Sequence, residues 1–175
     1  MPLMLSIDPN ASLLVNDIGL WMLVDWKRYI DERKLGNNVS FAQFDMTKCP
    51  IRTDSIDCVD SAGGIGNIPN NDLAFAEIYR ILKPGGILFM ADCIPDPDSF
   101  KKLPKEERQT WIKQFPDSEI GCEMRLTQTG FNILEMEEAA KFALNPTESD
   151  LAQISTKYGI TMYLKGYYIE AQKRL

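Results

Sequence analysis

Three short stretches of this chain carry residues that could meet a ligand. Asp17 closes the apolar run Ser12 to Ile18, SLLVNDI, and Asp45, followed by Met46, closes the run Val39 to Phe44. A carboxylate at the end of a strand can accept two hydrogen bonds from a vicinal diol. It can equally cap the helix that follows, and for Asp45 the local alternative is an Asx turn. The third stretch, Ser61-Ala62-Gly63-Gly64, opens a glycine-rich loop that runs to Asn70. Such a loop lets backbone approach a ligand closely, and it also serves as plain connection. There is no GxGxxG or P-loop spacing to cradle phosphate. The chain has no histidine, which weighs against hydrolases built on a Ser–His or Cys–His pair. Its four cysteines, Cys49, Cys58, Cys93 and Cys122, are scattered and form no CxxC pair. No metal site is expected, and Cys58 and Cys93 read as small core residues with reduced thiols.

These residues need a scaffold, and the chain supplies its clearest piece at Asn71 to Cys93, NDLAFAEIYRILKPGGILFMADC. Phe75, Ile78, Tyr79 and Leu82 fall at i, i+3, i+4 and i+7, one face of an amphipathic helix. Asn71 or Asp72 suits its N-cap. Pro84 disfavours helix at Lys83, and Gly85-Gly86 permit a sharp turn with positive φ. Ile87 to Ala91 is an unbroken apolar run, which predicts a central strand covered on both faces.

The rest of the first half alternates in the same way. Ser12 to Ile18 reads as a strand, and Leu20 to Ile30 as a helix closed by Gly36-Asn37-Asn38. Val39 to Phe44 and Ile56 to Val59 read as further strands. Past Ile94 the texture changes: prolines punctuate residues 95–120, with one helix near Lys105 to Gln114. A helix at Ile120 to Thr129 follows, then a strand at Phe131 to Ala139. A helix at Pro146 to Lys157, with Thr147 or Ser149 as cap, leads to a strand at Thr161 to Gln172 with Gly166 at a bulge. This pattern predicts one α/β domain over residues 1–175.

Composition narrows the function classes. Hydrophobic residues make up 45% and charged residues 25%, the balance of a globular protein. A net charge of −6 argues against a general nucleic-acid binder. No run reaches the roughly 18–20 apolar residues of a membrane span, and the N-terminus has no basic region of a signal peptide, so a cytoplasmic protein is expected.

The run AEIYRILKPGG, followed by ILFMADC, resembles the late signature of class I S-adenosylmethionine-dependent methyltransferases of the small-molecule type. Glu77, Arg80, Leu82, Lys83, Pro84, Gly85 and Gly86 all fit it. The resemblance extends loosely from Pro9 to Gln172 and implies a Rossmann-like, mainly parallel sheet in three αβα layers. The last strand, Thr161 to Gln172, would then be antiparallel, inserted between the fifth and sixth strands of the family. The resemblance implies S-adenosylmethionine as cofactor. It gives Asp17, with Ile18 beside it, to the ribose, and Asp45 and Met46 to adenine. Ser61, Ala62 and Gly63 would line the same ligand. Asp54 and Asp57 read as structural. The partner implied is a small-molecule methyl acceptor whose pocket residues 95–120 would shape. No residue stands out as a catalytic base, and a sulfonium donor is already activated, so positioning can supply much of the rate.

The chain departs from the family at its start. The family's first strand and its Asp/Glu-x-Gly-x-Gly-x-Gly loop have no counterpart here, so the domain reads as N-terminally truncated. Weak cofactor binding is the expectation, and a non-catalytic methyltransferase-like domain binding a nucleoside or a protein is the alternative. Without the first strand, Leu13–Ile18 and Ile56–Val59 would each present an unpaired edge. The economical outcome is that these two edges pair with each other. The other two routes are that the N-terminal residues fill the gap, or that another chain supplies a strand, giving a homo-oligomer.

Overall fold

The computed structural model describes residues 10–35, 38–69, 71–115, 118 and 121–175. Its contacts divide the chain into two compact units, Met1–Pro50 and Ile51–Leu175.

The first unit is a parallel strand pair and one helix. Strand β1 (Leu13–Asp17) runs beside β2 (Val39–Gln43), in register from Leu13↔Val39 to Asp17↔Gln43. Helix α1 (Leu20–Arg33) crosses between them and buries Leu23 and Ile30. A parallel pair needs such a crossover, because a tight turn cannot reverse the chain twice. Helix α1 ends sooner than the sequence predicts. Lys34, at φ 53°, takes the left-handed position, its amide bonding Asp31 and the Leu35 amide bonding Ile30. Those bonds satisfy the last carbonyls, so the left-handed position falls on a lysine rather than on Gly36. Gly36 and Asn37 lie outside the described residues.

The second unit carries a four-stranded sheet in the order β3-β4-β6-β5. Strand β3 (Ile56–Ala62) is parallel to β4 (Leu82–Pro95), and β6 (Tyr163–Lys173) is antiparallel to both β4 and β5 (Phe131–Ala143). The inserted antiparallel strand expected from the sequence is therefore present, and Ile87–Ala91 sits inside the sheet. Helix α2 (Asp72–Ile81) precedes β4, and α5 (Cys122–Thr129) precedes β5. Between them come α3 (Pro97–Phe100) and α4 (Lys105–Trp111), and α6 (Asp150–Lys157) leads to β6 with Ser149 as its cap. Phe75, Ile78, Leu88, Leu126, Phe131 and Ala171 are fully buried in the main core. A second cluster joins Phe100 and Leu103 to Leu151, Ala152 and Met162, so residues 97–115 are packed down by α6.

Several local expectations are corrected. The Asn71 side chain does not cap α2; its carboxamide oxygen accepts from the Arg125 guanidinium, a stronger, charge-assisted donor. Of the two glycines after Pro84 only Gly85 has positive φ, at 77°. Gly86 is required by space, since a Cβ there would lie 2.9 Å from the Lys83 carbonyl oxygen and 3.1 Å from that of Asp57. Gly166 pairs with Cys93 and Ala140, and the irregularity lies opposite it, in β5 between Glu138 and Ala140.

Strand β4 is not covered on both faces. Leu88, Met90 and Ile94 are buried with Ile169 and Ala171, while Phe89 and Cys93 are exposed on the other face with Tyr168. An unbroken apolar run marks a strand but does not say how many of its faces helices cover. Cys93 is accordingly not a core residue, and Cys58 is half-buried.

The direct pairing of Leu13–Ile18 with Ile56–Val59 is not found among the described residues, where β1 pairs with β2 and β3 with β4.

Candidate functional site

In the first unit Asp17 is the last residue of β1 and Asp45 follows the end of β2, at the carboxyl ends of two adjacent parallel strands, where open α/β sheets bind ligands. Asp17 Oδ1 accepts the Gly19 amide at 2.7 Å. This fixes the side chain without making it the N-cap of α1, which is Gly19. Its other oxygen has no protein partner among the described residues. Ile18, next in the chain, is 69% exposed. The Gln43 side chain holds the turn by donating to the Ile18 carbonyl at 2.9 Å.

Asp45 is fixed similarly. Its Oδ1 accepts the Thr47 amide at 2.9 Å and the Thr47 hydroxyl at 2.8 Å, capping the short 3-10 turn Met46–Lys48. The amide first, then the hydroxyl, hold this carboxyl below the usual range. The second oxygen again lacks a protein partner among the described residues. Both acids thus have one oxygen committed to orientation by a nearby backbone amide.

In the second unit Ser61 and Ala62 belong to β3, paired with Met90 and Ala91, so the strand runs three residues past Val59. The loop begins at Gly63, whose φ is 69° and whose amide bonds the Ala91 carbonyl at 2.7 Å. Asn67 Nδ2 donates to the Gly63 carbonyl at 2.7 Å, and the loop is folded rather than slack.

Sequence reasoning missed what anchors that loop. Asp92, near the carboxyl end of β4 and 7% exposed, accepts the Gly66 amide on Oδ2 at 2.7 Å and the Cys93 amide on Oδ1 at 2.8 Å. A Cβ on Gly66 would stand 2.6 Å from that carboxylate, so the approach needs glycine. Burial pushes the Asp92 carboxyl up, against the pull of the two amides. An acid at the end of an apolar strand was the available signal.

Charged residues around the late signature bond one another and the neighbouring backbone. Arg80 pairs with Glu77 at 2.7 Å and also reaches the Ile51 carbonyl. Asp57 pairs with Lys83 at 2.6 Å and Asp54 with Lys173 at 2.7 Å, tying turn to strand ends.

A family model described as a methyltransferase domain matches residues 5–90. Over 86 residues the chain is 33% identical to the ubiquinone/menaquinone biosynthesis C-methyltransferase UbiE of Pseudomonas paraeruginosa, covering 49% of this chain and 34% of that protein. The enzyme of the same name from Methylococcus capsulatus is 35% identical over 86 residues, 49% of this chain and 35% of that one. The match thus spans about a third of the length of these curated relatives. Among solved structures, a methyltransferase from Bacillus halodurans superposes with a TM-score of 0.68 at 15% identity, covering 94% of this chain and 84% of that one. Geranyl diphosphate methyltransferase in complex with S-adenosylmethionine gives 0.66 at 10% identity, over 98% and 72% of the two chains. The [4+2]-cyclase SpnF gives 0.64 at 18% identity, over 99% and 70%.

Proposed function

We propose that the protein transfers a methyl group from S-adenosylmethionine to a small molecule, since residues 5–90 match a methyltransferase-domain family model and the chain resembles solved methyltransferases in fold. The observation that carries this reading is the pair Asp17 and Asp45, each held by a neighbouring amide and each keeping a carboxylate oxygen for a ligand. When bound, S-adenosylmethionine would supply an activated methyl, passed to an electron pair of the acceptor as the carbon–sulfur bonding pair stays on sulfur. The chain's own residues then bind and orient. Asp17 accepts from the ribose hydroxyls, Ile18 offers an apolar surface to the nucleoside, and Asp45 accepts from the adenine amine with the Met46 backbone beside it. No helix among the described residues is long and apolar enough to cross a membrane, which fits a cytoplasmic enzyme.

A second reading keeps the nucleoside and drops the chemistry. The same fold occurs in the [4+2]-cyclase SpnF, so fold alone does not fix the reaction. Calorimetric titration of the chain with S-adenosylmethionine tests the cofactor. Asp17→Ala should weaken binding by about 1.5–3 kcal/mol, the scale of a hydrogen bond to a charged group. Unchanged affinity with the fold intact would take Asp17 out of the site. Binding without turnover of any acceptor would favour the second reading.

A further inference from the structure

Residues paired across strands point to the same side of a sheet, so the register of the second unit gives its open face as a set of rows. Asp60, Phe89, Glu170 and Glu135 form one row across β3, β4, β6 and β5. Ala62, Ala91, Tyr168 and Glu137 form the next, and Cys93, Gly166 and Ala140 the one after. Phe89 is 42% and Tyr168 57% exposed, and Cys93 between their rows and the rim is exposed too. Asp60, Glu135 and Glu137 are also exposed. The middle of the face, on β4 and β6, is therefore largely apolar, and the outer strands set carboxylates on both sides of it.

The charge on this face is of one sign. None of its strand residues is a lysine or arginine; Lys141 and Lys165 are partners on the opposite side, with Ile94. Glu135 and Glu170 stand directly opposite each other, an arrangement that costs stability. Among the described residues no cation pairs with Glu135, Glu137 or Glu170. Burial first, then the charges of Asp60 and Glu170, push the neighbouring Cys58 thiol up, so both carboxylates act over the face.

Shape and charge together select the occupant. Along β4 the line from Ile87 to Cys93 is about 20 Å long, the length of about 13 residues of helix. A helix is about 10 Å across with its side chains, and strands lie about 4.8 Å apart. One helix laid along β4 and β6 would thus cover Phe89 and Tyr168 and have the carboxylates of β3 and β5 at its flanks. A second copy of this face fits poorly, because it would bring a further set of carboxylates with no strand cation to meet them.

We propose that this face receives an amphipathic helix of another protein, its apolar stripe on Phe89, Ala91 and Tyr168 and its lysines or arginines over Asp60, Glu135, Glu137 and Glu170. The proposal does not depend on the methyl-transfer reading.

The test uses the full chain and three fluorescent helical peptides of about 15 residues. One has leucines on a single face flanked by lysines, the second has the same leucines flanked by glutamates, and the third has the composition of the first with its leucines scattered round the helix. The lysine-flanked peptide should bind at least ten-fold more tightly than either control, and its affinity should fall as salt is raised. At saturation it should slow alkylation of Cys93 by iodoacetamide at least five-fold. Tyr168→Ser, and Glu135→Gln combined with Glu137→Gln, all at exposed positions, should each weaken binding at least five-fold with melting temperature preserved. The proposal is overturned if the lysine-flanked peptide binds no better than either control, if Cys93 reacts as fast in its presence, or if both variants bind it as before. Sedimentation of the chain alone reads the other occupant: a dimer that Tyr168→Ser dissolves would give the face to a second copy and end the proposal.

Discussion

Asp45 and Asp92 should respond to acid in opposite directions. The Thr47 amide and hydroxyl lower the Asp45 carboxyl from its usual 3.8. A depressed folded value means that this stabilisation is complete above 3.8 and is lost as pH falls through the lower folded value. Burial raises the Asp92 carboxyl above 3.8, so the folded state holds that proton more tightly. Its burdened, ionised form then costs stability increasingly as pH rises through the raised value. Thermal melting of wild type, Asp45→Asn and Asp92→Asn across the acid range checks both signs. The wild type should gain on Asp45→Asn as pH rises, and lose ground to Asp92→Asn over its own window; slopes of one sign would contradict the assignment. The same two acids show what a sequence makes legible. Asp45 bonds a residue two positions on, so its neighbourhood is written locally. The partner of Asp92 is Gly66, 26 residues earlier, and only the sheet brings them together.

At the scale of elements, helix α5 is fastened to the start of α2 by one side chain. Arg125, 6% exposed, donates to the buried Asn71 carboxamide and at 2.6 Å to Asp72, in the first turn of α2. Removing the guanidinium takes a charged donor from a buried acceptor, a loss of about 1–3 kcal/mol. Arg125→Met keeps the apolar stem and should lower stability by that amount in urea unfolding. A change within error would mean that the two helices are joined by apolar packing alone. The helices and strands themselves were largely readable, because caps, prolines and periodicity act within a few residues. Exposure was not: the alternation that leaves Phe89 and Cys93 open and Leu88 and Met90 covered depends on where α2 and α5 settle.

At the scale of the molecule, the two units differ in what holds them. Among the described residues β1 and β2 bond only each other, whereas β4 and β6 are each paired on both sides. A two-stranded sheet is marginal by itself and leans on a single helix here. Native-state hydrogen exchange should therefore find amides of Val15 and Phe41 opening at lower free energy than those of Met90 and Ile169. Equal protection would show that both units open as one. Little of this division was readable, since the repeating strand–helix pattern crosses Pro50 without a break in composition.

Strand β6 follows β5 in the chain yet lies between β4 and β5. The sheet therefore cannot close in the order in which its strands are synthesised. After β5 has left the ribosome, β4 and β5 still lack the strand that separates and joins them. Their facing edges must wait, unpaired, through α6 until Tyr163–Lys173 arrives. For that interval the nascent chain holds two long β edges open to wrong partners, and the last strand ends the exposure by inserting rather than by adding to a rim.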